Sequence, residues 1–278
     1  MENKPKIIFG AVDAITAYLC SKAGADYIWV SSFVISTMAG LRDKGMVNIK
    51  YFLPLIKSLI KGSICPVILD FDVGGRNFFE YRSQINLLKN LPLRGICIED
   101  EEWQKVNAML KSPTRHLIPP KKMALKIKIA KEILDSKWLI IARTHSLIKK
   151  EAFIKLQHRI NVYQNAGADI ICIHYTEPSF DFYQKILRRL SFQRPLLFIA
   201  SSFTPPLELF KNFNVKYILF PNQIYRMMLY PVFSFTNRNK SLENLLKSFK
   251  NVKQLIGTKK VFKIIEDINK NSANRRCQ

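Results

Sequence analysis

The stretches CPVILDFDVGG, residues 65–75, and RGICIED, residues 94–100, decide the fold of this chain. Each is a continuous apolar run that ends in carboxylates, Asp70 and Asp72 in the first, Glu99 and Asp100 in the second. A strand with one wet face alternates apolar and polar residues. These runs do not alternate, so they read as parallel strands covered on both sides. Two successive strands then deliver acidic side chains to the same rim. Carboxylates gathered there repel one another and lose solvation, and a divalent cation relieves both costs. The pattern points to a magnesium-dependent site.

Working outward, runs of the same kind recur at 7–12, 27–32, 65–71, 94–100, 138–144, 169–175, 195–201 and 216–222. Helix-like stretches separate them. DAITAYLCSKAGA opens at Asp13, a potential N-cap, and stops near Gly24. KKMALKIKIAKEIL has apolar residues at helical spacing with lysines outside. Residues 241–268 read as two further helices with a break near Gly257, and the final NSANRRCQ as a frayed end. Eight β-runs with intervening helices predict a (β/α)8 TIM barrel spanning 1–278 as a single domain, with a C-terminal helical extension from about 241.

Composition fits this. The 278 residues suffice for one large core, and 48% of them are hydrophobic, as in ordinary soluble domains. The apolar runs are short and end in charge, so no membrane partner is expected. MENKPKIIFG lacks the apolar stretch of a secretory signal, which makes a cytoplasmic location the expectation. The five cysteines show no metal-binding spacing and read as reduced thiols. The formal charge of +23, from 44 Lys+Arg against 21 Asp+Glu, is dispersed along the chain and accompanies no nucleic-acid motif. It reads as solvated surface that also attracts an anionic substrate, not as a nucleic-acid footprint.

Active groups of such barrels collect at the C-terminal strand ends. There the sequence offers Trp29, Ser31 and Ser32; Asp70 and Asp72; Glu99 and Asp100; Arg143, Thr144 and His145; His174; and Asn222. With these residues in place, the chain resembles the phosphoenolpyruvate mutase family of the isocitrate lyase superfamily over nearly its whole length. IWVSSFVISTMAGLRD, LDFDVGGRN, GICIEDEEWQKVNA, WLIIARTHSLI, YQNAGADIICIHY and VKYILFPNQIYR carry the resemblance in order and spacing.

The resemblance implies roles. Asp70 would bind Mg²⁺ directly, and Asp72 and Glu99, with Asp43, would hold its water shell. Ser31 and the backbone N–H groups of Ser32 and Phe33 would hold the carboxylate of a small phosphorylated 2-oxo or enol acid, and Trp29 would wall the pocket. Arg143 and His174 would contact the phosphoryl group, and Arg suits that because its planar fork pairs with phosphate oxygens. Lys105 and Asn107 would lie on a loop that closes over the substrate, Asn107 steering the phosphoryl group and Lys105 stabilising its charge. The implied reaction interconverts phosphoenolpyruvate and phosphonopyruvate, and the implied assembly is a homo-oligomer, dimer or tetramer, exchanging a helix around 241–256.

Each role has a plainer competitor. Asp70 and Asp72 suit helix caps, Arg143 a structural counter-ion, His174 a satisfied core histidine, and Lys105 and Asn107 a solvated loop. The third carboxylate, Glu99, favours the metal. His145, His116 and His158 read as structural or surface residues. The chain also departs from the family pattern. Val73 stands for a threonine, Gly75-Arg76 for Tyr-Gly, Ser32 for a glycine, Ala108 for a serine, and His145 for a carboxylate. Val73 removes a hydroxyl, and Arg76 adds a cation beside the metal. Rival readings are a phosphonopyruvate hydrolase, a carbon–carbon lyase and a non-catalytic pyruvate-like binding barrel. The lyases carry a catalytic cysteine on the loop after strand four, and here that loop has none.

Overall fold

The computed structural model describes residues 4–44, 48–103, 105–108, 110, 115–176, 179–200, 210, 213–238 and 258–276. Eight strands, β1 (Lys6–Ala11), β2 (Tyr27–Val30), β3 (Val67–Asp72), β4 (Gly95–Glu99), β5 (Leu139–Thr144), β6 (Ile170–Ile173), β7 (Leu196–Ile199) and β8 (Val215–Phe220), pair in parallel, and β8 returns to β1 to close the barrel. The helices are α1 (Ala14–Lys22), α2 (Ser32–Met38), α3 (Leu53–Gly62), α4 (Phe78–Leu88), α5 (Pro120–Ile133), α6 (Phe153–Asn165), α7 (Phe180–Arg189), α8 (Gln223–Arg238) and α9 (Thr258–Arg276). All eight expected strands are present, and the fold is the (β/α)8 barrel. The expected exchanged helix around 241–256 lies outside the described residues.

The strands are apolar throughout because they pack on two sides. Ile28, Leu69, Phe71, Ile96, Ile98, Ile140 and Ile171 face the helices. Trp29, Ile68, Cys97, Ile141, Cys172 and Leu219 fill the barrel interior. Side chains alternate along a strand, so the residue two beyond an interior residue faces the barrel mouth. That parity places Ser31 above Trp29, Asp70 above Ile68, Glu99 above Cys97, Arg143 above Ile141 and His174 above Cys172. Register adds proximity, since Asp70 pairs with Cys97, Glu99 with Arg143, and Arg143 with Cys172.

After Asp70 the ladder shifts register, and Asp72 takes a left-handed backbone with φ of 51°. Aspartate tolerates this region better than most residues. The turn that follows is held from outside. Lys126 of α5 donates to the Val73 carbonyl at 2.8 Å, and Gln84 of α4 to that of Gly74 at 3.0 Å. Gly74 has φ of +70°, and a Cβ there would lie 2.5 Å from the Tyr81 ring. Arg76 points away and pairs with Glu80, so it does not sit beside the acidic cluster as expected.

Asp13 caps α1 in a capping box with Thr16. The last helix differs from expectation. α9 continues through Arg276, and upstream Ile264 and Ile268 pack against Tyr18, whose hydroxyl donates to Asp267 at 3.2 Å.

Two outcomes follow for stability. A Cβ on Gly10 would lie 1.9 Å from the Pro221 carbonyl oxygen, a backbone atom with nowhere to go. Gly10→Ala is expected to cost roughly 1–3 kcal/mol in urea unfolding; an unchanged midpoint would contradict this packing. Burial pulls the Lys126 ammonium down to about 8, despite the nearby Glu99 and Asp100. Between that value and its unfolded value of about 10.4 the unfolded chain binds more protons, so this residue makes stability rise with pH. The stability of wild type relative to Lys126→Met is therefore expected to increase from pH 8 to 10, and a flat difference would contradict it.

Candidate active site

A cavity of about 850 Å³ opens at the C-terminal mouth of the barrel. Ser31, Ser32, Phe33, Asp43, Asp70, Glu99, Lys105, Asn107, Arg143 and His174, ten of the residues singled out in the sequence, line it together. Asp72 is fully buried behind them and bonded into the same cluster. Trp29 lies one layer below, fully buried in the barrel interior, and its indole Nε1 has no hydrogen-bond partner.

The acidic centre is tightly connected. Ser32 Oγ donates to Asp72 Oδ1 at 2.8 Å and to Asp70 Oδ2 at 3.3 Å. Lys105 Nζ reaches Asp72 Oδ1 at 2.6 Å and Asp43 Oδ1 at 2.9 Å, and lies 4.0 Å from Glu99. Arg143 pairs with Glu99, and with Asp70 and Asp72 at 3.2 and 3.4 Å. Asn107 Nδ2 donates to Asp43 Oδ2 at 2.7 Å, which ties the loop after β4 to the loop after α2.

Four carboxylates, Asp43, Asp70, Asp72 and Glu99, thus meet two fixed cations, Lys105 and Arg143. With all groups ionised the cluster holds two negative charges in excess. Burial pushes Asp72 well above its usual range and Asp70 upward, against the pull of Lys105 on both and of Arg143 on Asp70. Burial also opposes the Glu99 charge, but Arg143, Lys105 and His145 outweigh it and hold that carboxyl below its usual range. Asp70 Oδ1 and Glu99 Oε1 are buried without a hydrogen bond, although Arg143 approaches Asp70 Oδ1 at 3.2 Å without alignment for one. Orphaned carboxylate oxygens beside a cavity, with two charges unbalanced, fit a hard divalent cation. Asp70 and Glu99 would hold it, with Asp72 behind them.

His174 lies just beyond β6. Burial, then His145 and Arg143, push its imidazole well below the ordinary histidine range, so the ring is neutral near pH 7. The α2 N-terminus starts at the cavity wall. Ser31 caps it, accepting from Val34 N–H at 3.4 Å, and the first N–H groups of a helix have no intrahelical partners.

Three readings of the sequence need correction. Asp100 and Thr144 do not join the rim. They face the helices, where Asp100 accepts from Thr144 Oγ1, Tyr163 Oη and the His145 N–H. His145, read as a structural or surface residue, is not at the surface: it is 2% exposed and lines the cavity. Glu101 is buried beside it at 2.7 Å. Parity would have found both, since they stand two residues beyond Arg143 and Glu99. No sequence signal marks Arg115, which returns from the far end of the loop to pair with Glu101.

Comparisons with known proteins agree with this geometry. A family model described as phosphoenolpyruvate phosphomutase matches residues 1–236. The phosphoenolpyruvate phosphomutase of Tetrahymena pyriformis is 24% identical over 221 residues, 79% of this chain and 74% of that protein. The 2-methylisocitrate lyase of Halalkalibacterium halodurans is 26% identical over 242 residues, 87% of this chain and 76% of that one. A crystal structure of phosphoenolpyruvate phosphomutase from Streptomyces platensis subsp. rosaceus superposes with a TM-score of 0.85 at 23% identity, covering 98% of this chain and 94% of that one. A phosphonopyruvate hydrolase from a Variovorax strain also matches. The match over residues 1–236 places the chain in the phosphoenolpyruvate phosphomutase family.

Proposed function

We propose that the protein is a Mg²⁺-dependent phosphoenolpyruvate mutase, moving a phosphoryl group between the enol oxygen and C3 of a pyruvoyl unit. The observation that carries this reading is the convergence of Asp70, Asp72 and Glu99 with Lys105, Arg143 and the Asp43–Asn107 pair at one cavity. When bound, the divalent ion supplies charge neutralisation and polarises the keto or enol oxygen.

The chain's own residues do the rest. Ser31 and the N–H groups of Ser32 and Phe33 hold the substrate carboxylate at the start of α2. Arg143 and His174 face the phosphoryl group from adjacent strands. Asn107 steers that group as the O–P bond breaks and the C–P bond forms, a step with no net proton change. Lys105 lies close enough to the cluster to offset charge on the moving oxygens. Residues 105–108 and 110 border the cavity. A closed loop there keeps water from a metaphosphate-like species. A second reading, phosphonopyruvate hydrolase, uses the same residues and differs in admitting that water. It is supported by a relative of that name.

Phosphorus NMR of phosphonopyruvate incubated with the protein and Mg²⁺ separates the two. Phosphoenolpyruvate is the expected product; inorganic phosphate with pyruvate would replace the mutase reading by the hydrolase, and no turnover would overturn both. Asp70→Ala is expected to weaken Mg²⁺-dependent oxalate binding at least about tenfold by calorimetry; unchanged binding would remove Asp70 from the metal site. Asn107→Ala is expected to lower kcat about 10²–10³-fold while oxalate affinity stays within about threefold, and full activity in that variant would contradict its steering role.

A further inference from the structure

A buried line of four side chains runs from the loop after β4 to the cavity, and the roles above leave most of it unused. Arg115 Nη1 donates to both oxygens of Glu101 at 2.9 Å. Glu101 Oε2 lies 2.7 Å from His145 Nδ1, and His145 Nε2 lies 3.1 Å from His174 Nδ1. None of the four is more than 9% exposed. The same two loop residues also hold the loop itself. Glu101 Oε1 accepts the Val106 N–H at 2.9 Å, and Arg115 Nη2 donates to the carbonyls of Asn107 and Leu110 at 3.1 and 3.4 Å. One carboxylate therefore seats the loop bearing Lys105 and Asn107 and, through His145, the ring of His174.

Glu99, Glu101 and His145 bring ligand atoms within 4.8 Å of one another, which raises the alternative of a second metal site. Arg115 already neutralises Glu101, and Glu99 belongs to the main cluster, so the set adds no unbalanced charge of its own. Net stability is also a poor explanation, because a buried ion pair gains little over apolar packing. Positioning explains it better. A histidine ring is free to turn about its second side-chain torsion, and a flip puts a ring carbon where each nitrogen was. The contact with His145 removes that freedom: Nδ1 of His174 is committed, and Nε2 is left to the cavity. His145 is fixed in turn by Glu101 on Nδ1 and by its own N–H on Asp100 at 3.0 Å.

We propose that Glu101, Arg115 and His145 are positioning residues that link the seating of the loop after β4 to the orientation of the His174 ring. The functional consequence rests on the reading of His174 as a phosphoryl contact. Histidine at 145 is thus a specific part of this site, bridging two partners that the shorter or longer amides each reach only singly.

His145→Asn keeps an amide near the Nδ1 position, for Glu101, and removes the atom that meets His174. His145→Gln does the reverse. With phosphonopyruvate and Mg²⁺, both variants of the full chain are expected to lose roughly 10- to 100-fold in kcat with KM within about threefold. In nitrogen-15 spectra of histidine-labelled protein, the His174 ring resonances are expected to move in His145→Asn more than in His145→Gln. Unchanged kcat in both variants, or unmoved His174 resonances in His145→Asn, would overturn the proposal. If the wild-type protein turns over no phosphonopyruvate, the mutase reading fails on its own, and the resonances still decide the positioning. If His145→Asn does not fold, Glu101→Gln takes its place: it breaks the ion pair to Arg115, and unmoved His174 resonances there would overturn the proposal equally.

Discussion

Charge without compensation is the constraint on which the rest of this structure depends. Asp43, Asp70, Asp72 and Glu99 crowd around Lys105 and Arg143, and with all of them ionised two negative charges are in excess. At such separations and in a poorly screening interior, like charges repel by several kcal/mol. The apolar layer below offers no polar side chain to share that load. The barrel therefore does more than hold the groups apart. It forces them together, an arrangement that a cation would relieve, with Asp70 Oδ1 and Glu99 Oε1 already stripped of hydrogen bonds.

Strand parity is the means by which so ordinary a scaffold builds so specific a mouth. Every second residue faces inward, so an interior Ile or Cys is followed by an acid, an arginine or a histidine at the rim. The helix-facing residues between them do different work. Asp100 and Thr144 are as polar as Glu99 and Arg143, yet they brace β4 and β5 against Tyr163 and Arg159 of α6. A one-residue shift in register would exchange the two sets, which is why the packing of the apolar residues below matters to chemistry above.

Much of this was legible in the chain. The eight β-runs are continuous and β-branched, and the acids close two of them, so the barrel and the position of Asp70, Asp72 and Glu99 follow from local pattern. The ends of the runs were harder to read. A run such as GICIEDE does not say which of Glu99, Asp100 and Glu101 faces the mouth until the interior residues are known, and Asp100, at the end of the run like Glu99, faces the helices instead. Arg115 and the depth of Trp29 depend on the path of a loop and the taper of the barrel, neither of which leaves a periodic trace. Arg76 is near Asp72 in sequence, but a left-handed residue and two glycines turn the chain away, and Glu80 takes the charge.

The unbalanced cluster is the central claim, and thermal unfolding across a Mg²⁺ titration at constant ionic strength tests it most directly, with no assumption about substrate. A cation that binds only the folded barrel stabilises it by about 2.7 kcal/mol at a hundredfold excess over its dissociation constant. The account predicts a saturable rise in Tm with Mg²⁺ that Na⁺ does not reproduce and Asp70→Asn abolishes. A Tm indifferent to Mg²⁺, or one that rises equally in Asp70→Asn, would contradict it.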